Sequence, residues 1–478
     1  MKAQDALPLR SWGLAAASGL ALLAASSPIS IWPLAWIGLA PLLSAVRRAP
    51  SARAAANLGA VAGLAFYPAA LHWLLKPFGA AAVPFWFVFC LWLALFAAAY
   101  WRLVRAAPKG TRGALLQVAG AAALWTGIEY FRSEVWPLEC SWLALGYSAT
   151  AFSPLLQPAS VVGVYGLSGA MAAANAAWVL ALEGRRWPAA AAAAAAVAAG
   201  LWGAARVEES ATQPPEGRRL EVALVQDESY DLDRMVRMSL GSGVRGGLWV
   251  WPEYGLTVPQ GGEERMLGLL RRVLQGPAST AVLGAAIFPD DPKDSIENFA
   301  WVLSPTGRLE GRYDKSHPIP FMESRHLRPN PTPLPVRSSA GALGLLLCYD
   351  LDFEDTARRL AREGAELLVV PNLDPAQWGP WQHRQHSDMS AARAVETGLW
   401  LVRAASSGHS QIIDPAGRTL SELDFGVSGA LAGEAYLRTA RTPYAVLGWL
   451  LAPLCLAATA AFLIWAVGAS FGMMRAPR

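Results

Sequence analysis

The chain has 478 residues, enough for two or three domains, and a formal net charge of only +4. Hydrophobic residues make up 54% and charged residues 16%, against about 25% charged in an ordinary soluble domain. This composition excludes a wholly soluble enzyme. The lack of a basic stripe interleaved with aromatics excludes a nucleic-acid binder.

Apolar stretches near 11–27, 30–47, 57–75, 81–104, 113–131, 160–182, 187–205 and 443–468 each approach the ~20 residues that cross a bilayer as a helix. The 21 Trp residues suit the aromatic belts at membrane interfaces. The Ala-rich end near Ala24–Ser27 has the look of a signal-peptide cleavage site, but the spans that follow favour an uncleaved first helix. Basic residues recur in alternate loops: Lys2 and Arg10; Arg47, Arg48 and Arg53; Arg102, Arg105, Lys109 and Arg112; Arg185 and Arg186; Arg475 and Arg478. The positive-inside rule assigns these loops to the cytoplasm, which leaves the long segment after the seventh span on the outer face.

The expected division is a membrane domain over 1–205 with about seven helices, a polar, proline-containing linker over 206–218, a soluble domain over 219–442, an anchoring helix over 443–468 and a cytoplasmic tail over 469–478. Within the soluble part, 220–226, 247–251, 280–288, 298–304, 342–347, 366–371 and 399–405 read as buried strands. Residues 263–276, 353–364 and 385–398 read as amphipathic helices closed by Gly. Strand and helix alternate, as in a layered α/β domain.

Three reactive side chains stand out. Cys348 follows the strand ALGLLL and precedes a helix, and Glu253 follows GLWVW, so both are expected at strand ends, where α/β folds place ligands. Lys315 lies in the polar segment RYDKSHPIPF. A thiol of pKa ~8.5 needs a base or a cation to become a nucleophile at neutral pH. Glu253 offers the base, and Lys315 offers a cation for the thiolate and for an oxyanion. Cys90 and Cys455 lie in apolar runs and read as inert thiols; a Cys140–Cys348 disulfide is the competing use of the fourth cysteine. No CxxC pair is present, so zinc and dithiol redox chemistry have no support. Of the six His residues, His317 and His383 are the ones expected nearest the trio.

VWPEYGL around Glu253, RYDKSHPIPFMES around Lys315 and LLLCYDLDF around Cys348 resemble the three signatures of the nitrilase, or carbon-nitrogen hydrolase, superfamily. With membrane spans on both sides, and with SSPISIWPLAWIGLAPLL, WTGIEYFRS, SWLALGYS and GPWQHRQ elsewhere, the chain is similar to the apolipoprotein N-acyltransferase branch. The resemblance implies a multi-pass α-helical membrane domain and an α/β nitrilase-type αββα sandwich inserted before the last transmembrane helix. It implies a Glu253–Lys315–Cys348 triad, with Glu323, Tyr349 and Asp350 in support. The implied reaction transfers an acyl chain from a phospholipid, through a Cys348 thioester, to the N-terminal diacylglyceryl-cysteine of an apolipoprotein. It implies no cofactor or metal, a monomer, and a bacterial inner-membrane location with the catalytic domain on the periplasmic side. The chain departs from the branch at Asp350, where a Glu is usual, at Met322, where a Gly is usual, and in NLDPAQWG, which keeps only Asn372, Trp378 and Gly379. These departures leave open a membrane-anchored amidase, or an acyltransferase with another amine acceptor. A silent binding protein of the same pathway is a third reading, against which the intact trio counts. Glu129 and Arg132 are charges near a membrane span, expected either to serve function or to pair across one helical turn.

Overall fold

In the computed structural model, the sequence patterns can be followed over residues 7–475, apart from 275, 290, 292–294, 324–326, 328 and 440. Lys2 and Arg478, two of the basic residues used above, and the end of the expected tail lie outside the described residues. The chain divides into two units, residues 1–203 with 449–478 and residues 204–448.

The first unit contains helices α1 (Leu9–Ala25), α2 (Ala40–Arg47), α3 (Ala52–Ala70), α4 (Leu75–Phe78), α5 (Ala82–Ala106), α6 (Thr111–Tyr130), α7 (Ser153–Leu156) and α8 (Ala159–Leu182), the start of α9 (Trp187–Thr212), and the C-terminal helix Leu451–Arg475. Among the described residues, four stretches are long and apolar enough to cross a membrane: His72–Ala106, Ala159–Leu182, Trp187–Thr212 and Leu451–Gly468. Small residues let the helices approach closely: a Cβ on Gly59 of α3 would stand 2.4 Å from the Leu93 carbonyl oxygen of α5.

The stretch expected as a single helix over 30–47 is broken. It forms a 3-10 turn, Trp32–Trp36, and then the eight-residue α2, each with a proline in its first positions. Proline lacks the N–H that a continuous helix would need there. Asn175 of α8 satisfies the backbone groups that the break leaves free: its Oδ1 accepts from Leu39 N (2.8 Å) and Ala40 N (2.9 Å), and its Nδ2 donates to Ala35 O (2.9 Å). Away from water, such groups need an internal partner. Residues 206–212, expected in the linker, form the last turns of α9, because RVEESAT contains no helix breaker before the proline pair at 214 and 215.

The second unit is a pair of six-stranded mixed sheets. Its strands are β1 (Arg218–Gln226), β2 (Leu248–Pro259), β3 (Thr280–Phe288), β4 (Glu297–Leu303), β5 (Leu309–Asp314), β6 (Val336–Ser338), β7 (Gly341–Leu345), β8 (Leu367–Asn372), β9 (Leu401–Ala405), β10 (Ser410–Ile413), β11 (Thr419–Leu423) and β12 (Gly429–Leu437). One sheet has the order β12-β1-β2-β3-β4-β5 and the other β11-β10-β9-β8-β7-β6. The central pairs β1/β2, β2/β3, β7/β8 and β8/β9 are parallel. Strands of this kind, covered on both faces, read as unbroken apolar runs.

Leu224, Val250 and Val282 from the first sheet pack against Leu345, Val369 and Val402 from the second. On its other face the first sheet buries Trp249 and Trp251 with Met235 of α10 (Leu232–Gly241) and Leu267 and Leu270 of α11 (Glu263–Leu274). Helices α12 (Glu354–Arg362) and α13 (Pro380–Thr397) pack with the second sheet. The result is the expected αββα sandwich; the short α14 (Pro443–Leu447) closes the unit.

Candidate active site

Glu253 does not stand at a strand end, as its sequence context suggested. Strand β2 continues to Pro259, and Glu253 sits in a bulge within it. Trp251 pairs with Leu283 and Leu256 with Ala285, so four residues of β2 face Gly284 alone. Glycine is required opposite the bulge: a Cβ on Gly284 would lie 2.2 Å from the Pro252 carbonyl oxygen and 2.7 Å from Glu253 Cα. Tyr254, next in the bulge, has φ +56°, a conformation that costs a non-glycine residue about 1–3 kcal/mol and recurs at functional sites.

Lys315 follows β5, with its backbone N–H bonded to Asn298 O (3.0 Å). Its ammonium is completely buried between two carboxylates, 2.9 Å from Glu253 Oε1 and 2.8 Å from Glu323 Oε2. Asn298 Nδ2 donates to both acids, to Glu253 Oε1 at 2.7 Å and to Glu323 Oε1 at 3.2 Å. Glu323 is held further by the Tyr254 hydroxyl (2.8 Å) and by Ile319 N–H (2.9 Å). Sequence reasoning missed Asn298 and Tyr254; the only trace of Asn298 is one amide in an otherwise apolar strand.

Cys348 opens a 3-10 turn, Cys348–Asp352, immediately beyond the second sheet, with φ +47°. The buried thiol donates to Leu373 O (3.4 Å). It is a free cysteine, as is Cys140, so the disulfide alternative is not formed. Asp350 is fully buried and ties this turn to the lysine loop. It accepts from Leu347 N (3.0 Å), Ser316 N (3.1 Å), His317 N (2.7 Å) and the Tyr313 hydroxyl (3.0 Å). Tyr349 packs edge-on against Phe353 (5.2 Å, 86°), which also stacks on the ring of His317 at 3.7 Å.

The electrostatics follow from burial. It pushes the Cys348 thiol well above the ordinary cysteine value; Glu253 adds to the shift and Lys315 opposes it. Burial also raises the Glu253 carboxyl, against the pull of Lys315. For Lys315, burial works toward the neutral amine, but Glu253 and Glu323 outweigh it and hold the ammonium well above the usual lysine value. Burial would raise Glu323 too; the charge of Lys315 and the N–H of Ile319 reverse this and keep it below the usual carboxylate value. At neutral pH the site therefore holds a neutral thiol beside an ammonium that two acids share. Such a site suits a reaction in which the thiol loses its proton only as it attacks.

The structure brings Glu253, Lys315, Glu323 and Cys348 into one electrostatic cluster, with Asp350 at its base. His383 is elsewhere, hydrogen-bonded to Pro375 O (3.0 Å). Glu129 and Arg132, in the membrane unit, make their direct hydrogen bonds with other groups. Glu129 accepts from Trp125 Nε1 (3.1 Å) and Leu145 N (2.8 Å), and Arg132 donates to Trp142 O (2.9 Å). Both fasten the loop after α6.

Residues 18–177 match the apolipoprotein N-acyltransferase N-terminal domain, and residues 222–442 match the carbon-nitrogen hydrolase family. Among curated proteins, the chain is 30% identical to an apolipoprotein N-acyltransferase of Geobacter metallireducens, over 95% of each chain. It is 28% identical to one from Azotobacter vinelandii, over 90% of each. Among solved structures it resembles Saccharomyces cerevisiae Nit3, a member of branch 10 of the nitrilase superfamily, at 23% identity over 46% of this chain and 90% of that one, with a TM-score of 0.38. On the 30% identity that holds over 95% of both this chain and the Geobacter metallireducens protein, the chain belongs to the apolipoprotein N-acyltransferase family.

Proposed function

We propose that this protein moves an acyl chain from a membrane phospholipid to the free amine of an apolipoprotein's N-terminal diacylglyceryl-cysteine, with Cys348 as the covalent carrier. The observation that carries the reading is the ammonium of Lys315, sealed between Glu253 and Glu323 beside the Cys348 thiol. A buried lysine held by two acids has no evident structural use, since replacing such a cluster with apolar residues is often neutral or stabilising.

In this reading Glu253 takes the thiol proton as Cys348 Sγ attacks the ester carbonyl of the donor. Lys315 faces the oxyanion that develops, an interaction whose loss costs on the order of 10²–10³-fold in similar sites. When the tetrahedral intermediate collapses, the ester C–O bond breaks and Glu253 returns its proton to the leaving lysophospholipid oxygen. The acceptor amine then attacks the thioester, Glu253 takes the amine proton, and it passes that proton to the departing thiolate. Glu323 keeps Lys315 charged and in place throughout, and Asp350 keeps the nucleophile turn against the lysine loop. Tyr349, half-buried on that turn, would contact substrate.

Incubating the detergent-purified protein with phosphatidylethanolamine, without acceptor, should add one acyl-chain mass to the Cys348 peptide. Neutral hydroxylamine should release it. Normal acceptor acylation by a Cys348→Ala variant would sink the mechanism.

The reading places the protein in a bacterial inner membrane, acting as a monomer, with the catalytic unit on the periplasmic side. Support comes from the basic clusters that follow every second apolar stretch. Cysteines introduced at 213–217 should react with an impermeant maleimide in cells whose outer membrane alone is permeabilised. Labelling that needs lysis of the inner membrane would reverse the topology.

A further inference from the structure

Two segments set the position of the Cys348 thiol: the turn Cys348–Asp352 that bears it, and the residues after β8 whose Leu373 carbonyl accepts from it. The link between them lies under the site rather than in it. His386, on the second turn of α13, is 2% exposed, and its two ring nitrogens face a carboxylate from each segment. Nδ1 is 2.8 Å from Asp374 Oδ1, and Nε2 is 3.3 Å from Asp352 Oδ1. Both aspartates are themselves fully buried.

The Asp374 side is anchored from three directions. Gln382 Nε2 donates to Oδ1 at 2.9 Å, Arg403 of β9 donates to Oδ2, and the Ser406 and Ser407 hydroxyls donate to the Asp374 carbonyl oxygen at 3.1 and 2.7 Å. Arg403 is locked in turn onto His409 O (2.7 Å). The acceptor segment is thus rigidly tied to the sheet, and the contact across His386 joins the nucleophile turn to it.

We propose that His386 is a positioning residue for acyl transfer: as an imidazolium hydrogen-bonded to Asp374 and ion-paired with Asp352, it clamps the Cys348 turn onto the Leu373 carbonyl and so sets the aim of the thiol. The inference rests on Cys348 being the acyl carrier. A neutral imidazole can donate from one nitrogen only and would turn a lone pair toward the other carboxylate, so the double clamp exists only in the protonated ring.

The surroundings hold that proton. Burial alone would favour the neutral ring, but Asp374 and Asp352 outweigh it, with Arg403 opposing them, and bring His386 up to about 9. His383, one turn earlier on the helix, also faces Asp374 and adds a smaller pull on that acid. The sign is that of a raised base: the contribution of the clamp to stability is full below the ordinary histidine value of 6.5, and the clamp itself is lost as pH rises through about 9.

The test is single-turnover acylation of Cys348 from phosphatidylethanolamine by the full-length protein in detergent, measured from neutral to well above pH 9, beside the steady-state kcat and KM. The wild type should lose rate on an alkaline limb near pH 9. His386→Gln should acylate on the order of 10–100-fold more slowly at neutral pH, the scale of a misaligned nucleophile, with KM for the lipid unchanged and no such limb. Asp352→Asn, which keeps the size of the side chain, should move the limb to lower pH; it carries the test if His386→Gln does not fold. A role confined to folding would lower the yield and melting temperature of these variants and leave the pH profile of the folded fraction in place. An unmoved limb in Asp352→Asn, or a His386→Gln protein within twofold of the wild type, overturns the inference alone. A wild type that takes no acyl chain on Cys348 overturns the functional reading, and this inference with it.

Discussion

Replacing Asp350 with alanine should destabilise the catalytic unit and displace its nucleophile together. The carboxylate is fully buried and accepts from four donors: the N–H groups of Leu347, Ser316 and His317, and the Tyr313 hydroxyl. Each buried donor left without an acceptor costs about 1–3 kcal/mol. Water entering the vacated space would satisfy some of them, and the Tyr313 hydroxyl already has Ser316 Oγ as a neighbour at 2.9 Å. The net loss should then be about 4 kcal/mol, near the low end of the summed range. In a unit of this size each kcal/mol shifts the melting temperature by about 2–4 °C, so the expected fall is about 8–16 °C. Asp350→Asn keeps one acceptor oxygen and the shape, but turns an amide toward the remaining donors; it should fall about half as far. The assay is thermal melting of the detergent-purified protein followed by tryptophan fluorescence, because Trp249, Trp251 and Trp301 report on the sandwich. Acylation of Cys348 is measured on the fraction still folded. A melting temperature within about 2 °C of the wild type, together with an unchanged acylation rate, would refute the view that this carboxylate joins the nucleophile turn to the lysine loop.

Lys315→Arg should fail nearly as badly as Lys315→Ala, because a planar guanidinium does not fit the fully enclosed space that a compact ammonium occupies 2.9 and 2.8 Å from its two acids. An arginine variant with substantial turnover, measured by acylation of a diacylated lipopeptide, would show that only a diffuse positive charge is needed. Gly284→Ala should lower the same activity on the order of 10²-fold, since the new methyl group would meet Pro252 O at 2.2 Å and force the Glu253 bulge aside. An active Gly284→Ala protein whose Cys348 acylation is as fast as the wild type would show that the bulge can move without consequence.

The candidate reactive residues were legible in the sequence because their neighbours are strongly patterned. LLLCYD ends an unbroken apolar run, so Cys348 had to leave the sheet there, and the structure turns the chain at that residue. The placement of Glu253 was less legible. VWPEYGL reads as a strand that stops at Pro252, yet β2 carries on past it; the residue that permits the bulge, Gly284, lies on the neighbouring strand. Strands β5, β6 and β10 to β12 escaped detection because polar residues interrupt their apolar pattern, as in LEGRYD and TLSEL. The second membrane stretch was overread for the opposite reason: its apolar composition concealed prolines, and its fold depends on Asn175, distant in sequence.

Composition and local pattern by themselves pointed to a membrane protein bearing a layered α/β unit and singled out Glu253, Lys315 and Cys348 as its candidate reactive groups. Those conclusions depend on hydropathy and on residue chemistry within a few positions of each site. The tertiary structure decided which acids share the lysine, that Asn298 and Tyr254 support them, and that His386 bridges Asp352 and Asp374. Each of these contacts joins residues on different strands, turns or helices. Their protonation depends on burial and on charges brought together only by folding, which is why no local stretch of the sequence announces them.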